Sequence, residues 1–262
     1  MIHPRQGYCG RIVALVCILS GIGAPVLAQW IKIPGKSIPR LANGQPDLSA
    51  PAPKRADGKP DLSGIWQPGP GYVVNIAKDL KPEDVPMRPW AAALYRERQE
   101  NNSKDDPTGY CVPGGVPRSD AVPYPFKILN SDGMVAILYE AVHSYRQIFM
   151  DGRVLPKDPN PNWQGYSVGR WEGNSLVVDT VGFVENSWLD NGGHPGTESM
   201  HVTEYFERRD FGHLNIRIVI DDPKTYTRPW SVTLPYELLP DTELLEYICT
   251  ENEKDLRHLV GK

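Results

Sequence analysis

The chain has 262 residues and a formal net charge of −4, with 40% hydrophobic and 23% charged residues. Its length suits one domain with a sizeable core, and its 26 Pro and 24 Gly indicate many turns. Its 7 Trp and 12 Tyr argue against disorder. The mildly acidic balance argues against nucleic acid or an anionic lipid surface as partner, since both attract basic proteins.

Residues 1–28 have the features of a secretory signal peptide. Arg5 and Arg11 form a basic start, residues 12–22 are largely apolar, and Ala28 ends a small-residue cleavage site. The alternative is a membrane anchor, but the apolar stretch is short and contains Gly residues. We therefore predict a periplasmic or secreted protein whose mature chain has no membrane-spanning segment.

A Pro-, Lys- and Gly-rich stretch follows over residues 29–60, and it lacks apolar periodicity. We predict an extended, exposed arm here. The stretch begins an imperfect duplication, ANGQPDLSA at 42–50 and ADGKPDLSG at 56–64. Two copies are too few for a repeat architecture. Residues 61–262 are expected to form a single domain, with a first strand at 64–66.

One helix is predicted at about residues 89–100. Pro89 suits a first helical position, and the residues after it are good helix formers. From 101 to 124 the chain is polar and then rich in Pro and Gly, which predicts a long loop with Cys111 in its middle.

Cys111 and Cys249 are the two cysteines of the predicted mature chain. In an oxidising compartment, two cysteines suggest one disulfide. A catalytic or metal-binding thiol pair is the alternative, but neither a C-x-x-C motif nor a nearby His supports it. The sequence also lacks a histidine motif for zinc, a P-loop, a dinucleotide fingerprint and G-x-S-x-G, so we predict no metal and no cofactor. A zinc site assembled from distant positions stays open.

Short strands joined by acidic-glycine turns dominate residues 125–251. Asp132-Gly133 and Asp151-Gly152, for example, supply the positive φ that two-residue hairpins need. The predicted strands are 126–131, 134–141, 144–150, 165–171, 175–183, 200–208, 213–221, 229–236 and 243–250. A long loop spans 184–199, and such loops are often functional. The pattern predicts an all-β fold in which an antiparallel meander closes into a barrel or packs as a sandwich.

Two longer stretches resemble the hallmark sequences of a family of secreted bacterial proteins. They are DGKPDLSGIW at 57–66 and GRWEGNSLVVDT at 169–180, and HVTE at 201–204 and EYIC at 246–249 fit the same family. The resemblance covers roughly residues 40–255. No activity belongs to that family as a whole, so the resemblance implies no catalytic residues.

A weaker resemblance concerns the Gly-x-Trp at 64–66, which is similar to the first strand of lipocalin-like barrels. It implies a barrel that holds a small ligand. The chain departs from the lipocalin pattern, because a helix and a long loop separate its first and second predicted strands.

Three charged residues lie among apolar neighbours at i±2, the pattern of side chains that face the interior of a sheet. They are Arg146 (beside Ile148 and Met150), Asp179 (beside Val177 and Val181) and Glu204 (beside Val202 and Phe206). Since a buried, unpaired charge is costly, we expect the three to converge inside the barrel. They form either a structural ion network or a general acid/base set, which Tyr139 or His143 would join.

A group of rings surrounds strand 165–171 and the long loop. It consists of Trp163, Tyr166, Trp171, Trp188 and His194. Core packing is one interpretation, and the wall of a site for a small apolar or aromatic ligand is the other.

These features predict an exported, cofactor-independent acid/base enzyme of the lyase, isomerase or hydratase type. Its substrate is expected to be a small hydrophobic or aromatic molecule, because such reactions need only placed acids and bases in a dry pocket. The alternatives are a non-catalytic periplasmic binding protein for a small apolar ligand and an envelope interaction module that uses the arm. Nothing in the sequence indicates an oligomeric state.

Overall fold

The computed structural model describes residues 37–251, which form a closed barrel of nine strands, a small two-stranded ladder and two helices. The elements in chain order are β1 (Gly64–Pro68), α1 (Pro89–Glu100), α2 (Arg118–Ala121), β2 (Phe126–Ser131), β3 (Met134–Tyr139), β4 (Tyr145–Phe149), β5 (Tyr166–Glu172), β6 (Ser175–Val181), β7 (Ser187–Trp188), β8 (Pro195–Gly196), β9 (His201–Arg208), β10 (His213–Asp221) and β11 (Trp230–Leu238). The predicted all-β barrel is confirmed, and α1 covers the residues of the predicted helix.

The barrel wall follows the order β1-β11-β10-β9-β6-β5-β4-β3-β2, and β2 pairs with β1 to close it. β7 and β8 pair outside the wall, within the predicted long loop 184–199. Two hairpins turn at glycines with positive φ, Gly133 (+73°) and Gly173 (+60°), as the acidic-glycine pattern predicts. The hairpin predicted at Asp151-Gly152 is wrong, because β4 and β5 pair in parallel.

One strand pair departs from the predicted antiparallel meander. β4 and β5 run parallel, because the chain between them crosses back to the end of the barrel where β4 began. The two strands pair at only two positions, Ile148 with Ser167 and Phe149 with Val168. Residues 145–147 of β4 are therefore not paired with β5, and we call this gap in the wall the seam.

The core fills the barrel interior with alternate residues of each strand. In β10 these are Leu214, Ile216, Ile218 and Ile220, each with no exposed surface, as the sequence pattern predicts. At the end of the barrel where β3 finishes, the short helix α2 acts as a plug, and all four of its residues are buried. This second helix is absent from the sequence prediction, because it is a single turn inside a Pro- and Gly-rich loop.

The described part of the arm lies against the opposite end of the barrel. The two copies of the duplicated sequence form the same turn, closed by Leu41 N–Gln45 O in the first and Arg55 N–Lys59 O in the second. The first copy also binds the β9–β10 turn, because Gly212 N donates to Leu48 O at 2.8 Å. The part of the arm within the described residues is thus docked onto the barrel.

The predicted strand 243–250 is wrong. These residues have no strand structure, because the wall is already closed by the pairing of β11 with β1 and offers no free edge. The segment instead binds side chains: Leu245 N donates to Glu140 Oε2 at 2.8 Å, and Cys249 forms a disulfide with Cys111. The predicted disulfide is confirmed.

Candidate functional site

A cluster of polar side chains lies inside the barrel beneath α2. We call it the buried cluster, and it consists of Asp120 from α2, Tyr139 from β3, Arg146 from β4 and Glu204 from β9. Arg146 has 2% of its surface exposed, and the two carboxylates have none. The structure thus brings together Arg146, Glu204 and Tyr139 of the predicted set.

Arg146 is bound on every side of its guanidinium. It forms a two-pronged ion pair with Glu204, in which Nη1 donates to Oε1 at 3.0 Å and Nη2 donates to Oε2. Nε donates to Ser167 Oγ at 3.0 Å and Nη2 to Thr180 Oγ1 at 2.8 Å. The charge of Arg146 is therefore matched chiefly by Glu204.

Asp120 is the second carboxylate of the buried cluster, and only one of its two carboxylate oxygens accepts a hydrogen bond. Its Oδ1 accepts a hydrogen bond from the Tyr139 hydroxyl at 2.7 Å. Its Oδ2 lies 3.9 Å from Arg146 Nη1 and has no hydrogen-bond partner among residues 37–251. A second tyrosine holds the main chain of Asp120, since the Tyr236 hydroxyl donates to the Asp120 carbonyl at 3.0 Å.

The buried cluster has one guanidinium for two carboxylates, so both carboxylates cannot be ionised without leaving an excess negative charge. Burial is the main cause that raises the pKa of Asp120 to about 7, and the negative charge of Glu204 adds to it. The charge of Arg146 and the Tyr139 hydroxyl act in the opposite direction. Burial also raises the pKa of Tyr139 well above its ordinary value, so Tyr139 is a neutral hydroxyl.

Tyr139 of the buried cluster also lines a cavity of about 280 Å³ at the plugged end of the barrel, which we call the mouth cavity. Its walls are largely apolar, and they include Val73, Val122, Tyr124, Val142 and Tyr247. The charged residue of its lining, Arg118, is paired with Asp106. The mouth cavity is thus suited to a small, uncharged and largely apolar molecule.

A second cavity, of about 420 Å³, opens on the outer surface at the seam between β4 and β5, and we call it the seam cavity. Trp163 and Tyr166, two of the predicted ligand-binding residues, line it. Arg146 and Ser167, which are both buried, also belong to its lining. The buried cluster therefore borders a cavity on each of two sides.

Asp179 does not join the buried cluster, and its predicted interior position is wrong. The interior residues of β6 are Leu176, Val178 and Thr180, so Asp179 faces outwards. There it binds His201 Nε2 at 2.9 Å, and hydrogen bonds from His201 and Arg170 lower its pKa. The pattern misleads because Val177, on the outer face beside Asp179, is also fully buried.

His143 and His194 lie outside the buried cluster. His143 is exposed, and its Nε2 accepts a hydrogen bond from Tyr247 N at 3.0 Å, so it holds the C-terminal segment. His194 is buried, with Nδ1 2.6 Å from Asp190 Oδ2 and its ring stacked on Tyr95.

The remaining predicted ligand-binding residues, Trp171 and Trp188, are separate from the seam cavity. Trp171 packs against the core, which fits the packing interpretation of the ring group. Trp188 is buried under the Arg98 guanidinium, which lies 4.1 Å from its ring centroid. The predicted ring group is therefore divided among several places in the fold.

Asp120 is the residue that sequence reasoning misses. It lies in the loop 101–124, where neither strand alternation nor helical periodicity indicates which side chains are buried. Ser167 and Thr180, which bind Arg146, are missed because hydroxyl residues are equally common on both faces of a strand. Thr180 ends the stretch GRWEGNSLVVDT, but that stretch implies no role for it, and no motif marks Asp120 or Ser167.

Comparisons with family models, with curated proteins and with solved structures find no match to this chain. Within residues 37–251 no three His, Cys, Asp or Glu side chains are grouped as metal ligands. In the same part of the chain, no helix has the length and apolar character needed to cross a membrane.

Proposed function

We propose that this protein is an exported acid/base enzyme of the lyase, isomerase or hydratase type. Its substrate is a small hydrophobic or aromatic molecule bound in the mouth cavity. The observation that carries the proposal is a buried carboxyl group, Asp120, hydrogen-bonded to the hydroxyl of Tyr139, a residue that lines that cavity. Export is supported by the signal-like residues 1–28 and by the disulfide, since disulfides persist in oxidising compartments.

The proposed chemistry is a proton relay. Ionised Asp120 takes the hydroxyl proton of Tyr139 while the Tyr139 oxygen takes a proton from a carbon next to a carbonyl group of the substrate. No free phenolate forms, which is required because the pKa of Tyr139 is raised well above its ordinary value. Return of the proton to another carbon gives isomerisation, and loss of a leaving group gives elimination.

The pKa of Asp120 suits this role. A general base works best when its pKa is near the operating pH, and that of Asp120 is about 7. Glu204 contributes as a positioning residue: its charge raises the pKa of Asp120, and its pairing with Arg146 keeps that guanidinium from neutralising Asp120.

Deuterium exchange tests the proposal without knowledge of the natural substrate. The protein is incubated in D₂O with phenylacetone and cyclohex-3-enone, and deuterium incorporation and double-bond migration are followed by mass spectrometry. We expect catalysed exchange whose rate rises with pH through about 7, because the base must be ionised. Tyr139→Phe and Asp120→Asn should each lower the rate at least ~100-fold.

The control variant is Tyr226→Phe. Like Tyr139, Tyr226 is a buried tyrosine whose hydroxyl donates one hydrogen bond. Its acceptor is the main-chain carbonyl of Pro195, at 2.9 Å, and Tyr226 does not line the mouth cavity. The Tyr226→Phe variant should lose about as much stability as Tyr139→Phe does, and it should keep the exchange rate of the wild type. Equal rates in Tyr139→Phe and Tyr226→Phe would contradict the relay.

The second candidate function is a non-catalytic binding protein for a small apolar ligand. It is favoured by the complete pairing of Arg146 with Glu204, Ser167 and Thr180, which is the arrangement of a structural ion network. Binding of the two ketones without exchange, measured by ligand-observed NMR, would support this function over catalysis.

A further inference from the structure

The seam cavity exists because two strands of the wall separate. β4 and β5 pair at two positions only, and the unpaired residues 145–147 of β4 line the cavity. The volume of about 420 Å³ lies within the range of small-molecule sites. The seam cavity is distinct from the mouth cavity in its lining and in its position on the wall.

Aromatic rings form the outer walls of the seam cavity. They belong to Tyr145, Phe149, Trp163 and Tyr166. Tyr145 is 65% exposed, so its ring is accessible to a ligand. Phe149 and Tyr166 are held in place by Arg153, which lies 3.9 Å from the Phe149 ring centroid and donates to the Tyr166 hydroxyl at 3.0 Å.

Uncharged amides supply most of the polar groups of the seam cavity. Among the described residues, the amides of Gln147 and Asn162 each make one weak hydrogen bond, to Met134 Sδ at 3.4 Å and to Asn160 O at 3.4 Å. Gln164 is buried, and its amide carbonyl has no partner in the described part of the chain. The exposed amides of Gln147 and Asn162 therefore have donors and acceptors to spare for a ligand.

The seam cavity carries no charge that a ligand would neutralise. The charged residue of its described lining is Arg146, and Glu204 already pairs with it. A charged ligand would therefore lose its hydration without gaining a counter-charge.

We propose that the seam cavity binds a neutral sugar ring. Such a ring has an apolar face of C–H groups, which packs on aromatic side chains, and a rim of hydroxyl groups, which bind amides. A purely apolar aromatic ligand would cover the amides of Gln147 and Asn162 without satisfying them, which is unfavourable. The site does not depend on the proposed acid/base activity.

Titration calorimetry with neutral saccharides tests the site. The probes are glucose, N-acetylglucosamine and the tetrasaccharides of the cello-, malto-, xylo- and chito- series, with 2-naphthol as the apolar aromatic competitor. We expect saturable binding of at least one saccharide, and Tyr145→Ala should weaken it about tenfold or more because a stacking ring is lost. Tyr110→Ala is the matched control: Tyr110 has the same exposure, 65%, and does not line the seam cavity.

A second variant separates sugar from aromatic recognition. Gln147→Leu keeps an apolar side chain at this position and removes its amide. It should weaken saccharide binding and strengthen 2-naphthol binding, because the rings of 2-naphthol no longer cover an unsatisfied amide. Failure of every saccharide to bind, or equal affinity of Tyr145→Ala and Tyr110→Ala, would overturn the proposal. Both of these results would leave the deuterium-exchange experiment unaffected. If Tyr139→Phe loses exchange but still binds the saccharide, the two sites are separate.

Discussion

The position of Asp120 shows how one residue can be kept near neutrality by its surroundings. It has no exposed surface, its Oδ2 lacks a hydrogen-bond partner among the described residues, and the nearest guanidinium is paired with another carboxylate. Each of these features makes the ionised form less favourable. The proton on Asp120 is therefore linked to folding as well as to the proposed chemistry.

This linkage predicts a pH-dependent stability. Because the pKa of Asp120 is raised from 3.8 to about 7, the folded protein binds a proton more tightly than the unfolded chain does. The stability that this proton confers is complete below about pH 4 and is lost as pH rises to about 7, by up to ~1.4 kcal/mol per pH unit.

The measurement is the difference in free energy of unfolding between the wild type and Asp120→Asn, by urea denaturation at pH 4, 5.5 and 8. Taking the difference cancels the contribution of the other titrating groups. The free energy of unfolding of Asp120→Asn should therefore rise relative to that of the wild type as pH increases. A constant difference across this range would show that Asp120 ionises as it does in the unfolded chain.

The candidate site was partly predictable at the residue scale. The rule that a charge between apolar i±2 neighbours points inwards holds for Arg146 and Glu204, because their strands have one apolar face. It fails for Asp179, because β6 has buried valines on both faces. Asp120 was beyond reach, since burial in an irregular loop depends on tertiary contacts that no local pattern encodes.

At the scale of elements, the docked arm depends on a close approach between two backbones. Phe211 N donates to Ala50 O at 2.7 Å, and Gly212 N donates to Leu48 O at 2.8 Å. A Cβ atom on Gly212 would lie 2.9 Å from the Leu48 Cα. The turn between β9 and β10 therefore needs glycine at this position.

We predict that Gly212→Ala releases the first copy of the duplicated sequence. The arm should become sensitive to limited proteolysis between residues 37 and 50, and the protein should lose roughly 1–3 kcal/mol of stability through overpacking. Gly109→Ala is the control, because no heavy atom of the described chain lies within 4 Å of its Cβ position. Identical digestion of the two variants would show that this contact does not hold the arm.

The elements were easier to predict than their pairing. Alternation and acidic-glycine turns mark β2 to β6 and β9 to β11, since both are local properties of the chain. The parallel pairing of β4 with β5 depends on the path of residues 150–165, which are irregular. The false strand at 243–250 has suitable residues, but the closed wall leaves it no partner.

At the scale of the whole molecule, the disulfide joins the loop before α2 to the segment after β11. Its cysteines are separated by 138 residues, so it restrains most of the chain in the unfolded state. We predict that the double variant Cys111→Ser/Cys249→Ser loses roughly 5 kcal/mol of stability. Urea denaturation measures the loss, and the wild type in dithiothreitol should reproduce it. Equal stability of the reduced and oxidised wild type would contradict the prediction.

The pairing that closes the wall also constrains when the protein can fold. β1 pairs with β2 on one side and with β11 on the other, where Trp66 lies opposite Leu238. The ribosome must therefore synthesise almost the entire polypeptide before the cylinder can be completed, and contacts between such distant residues form slowly. A nascent chain that stops before β11 lacks one partner of β1, so its wall stays incomplete until that last strand has emerged.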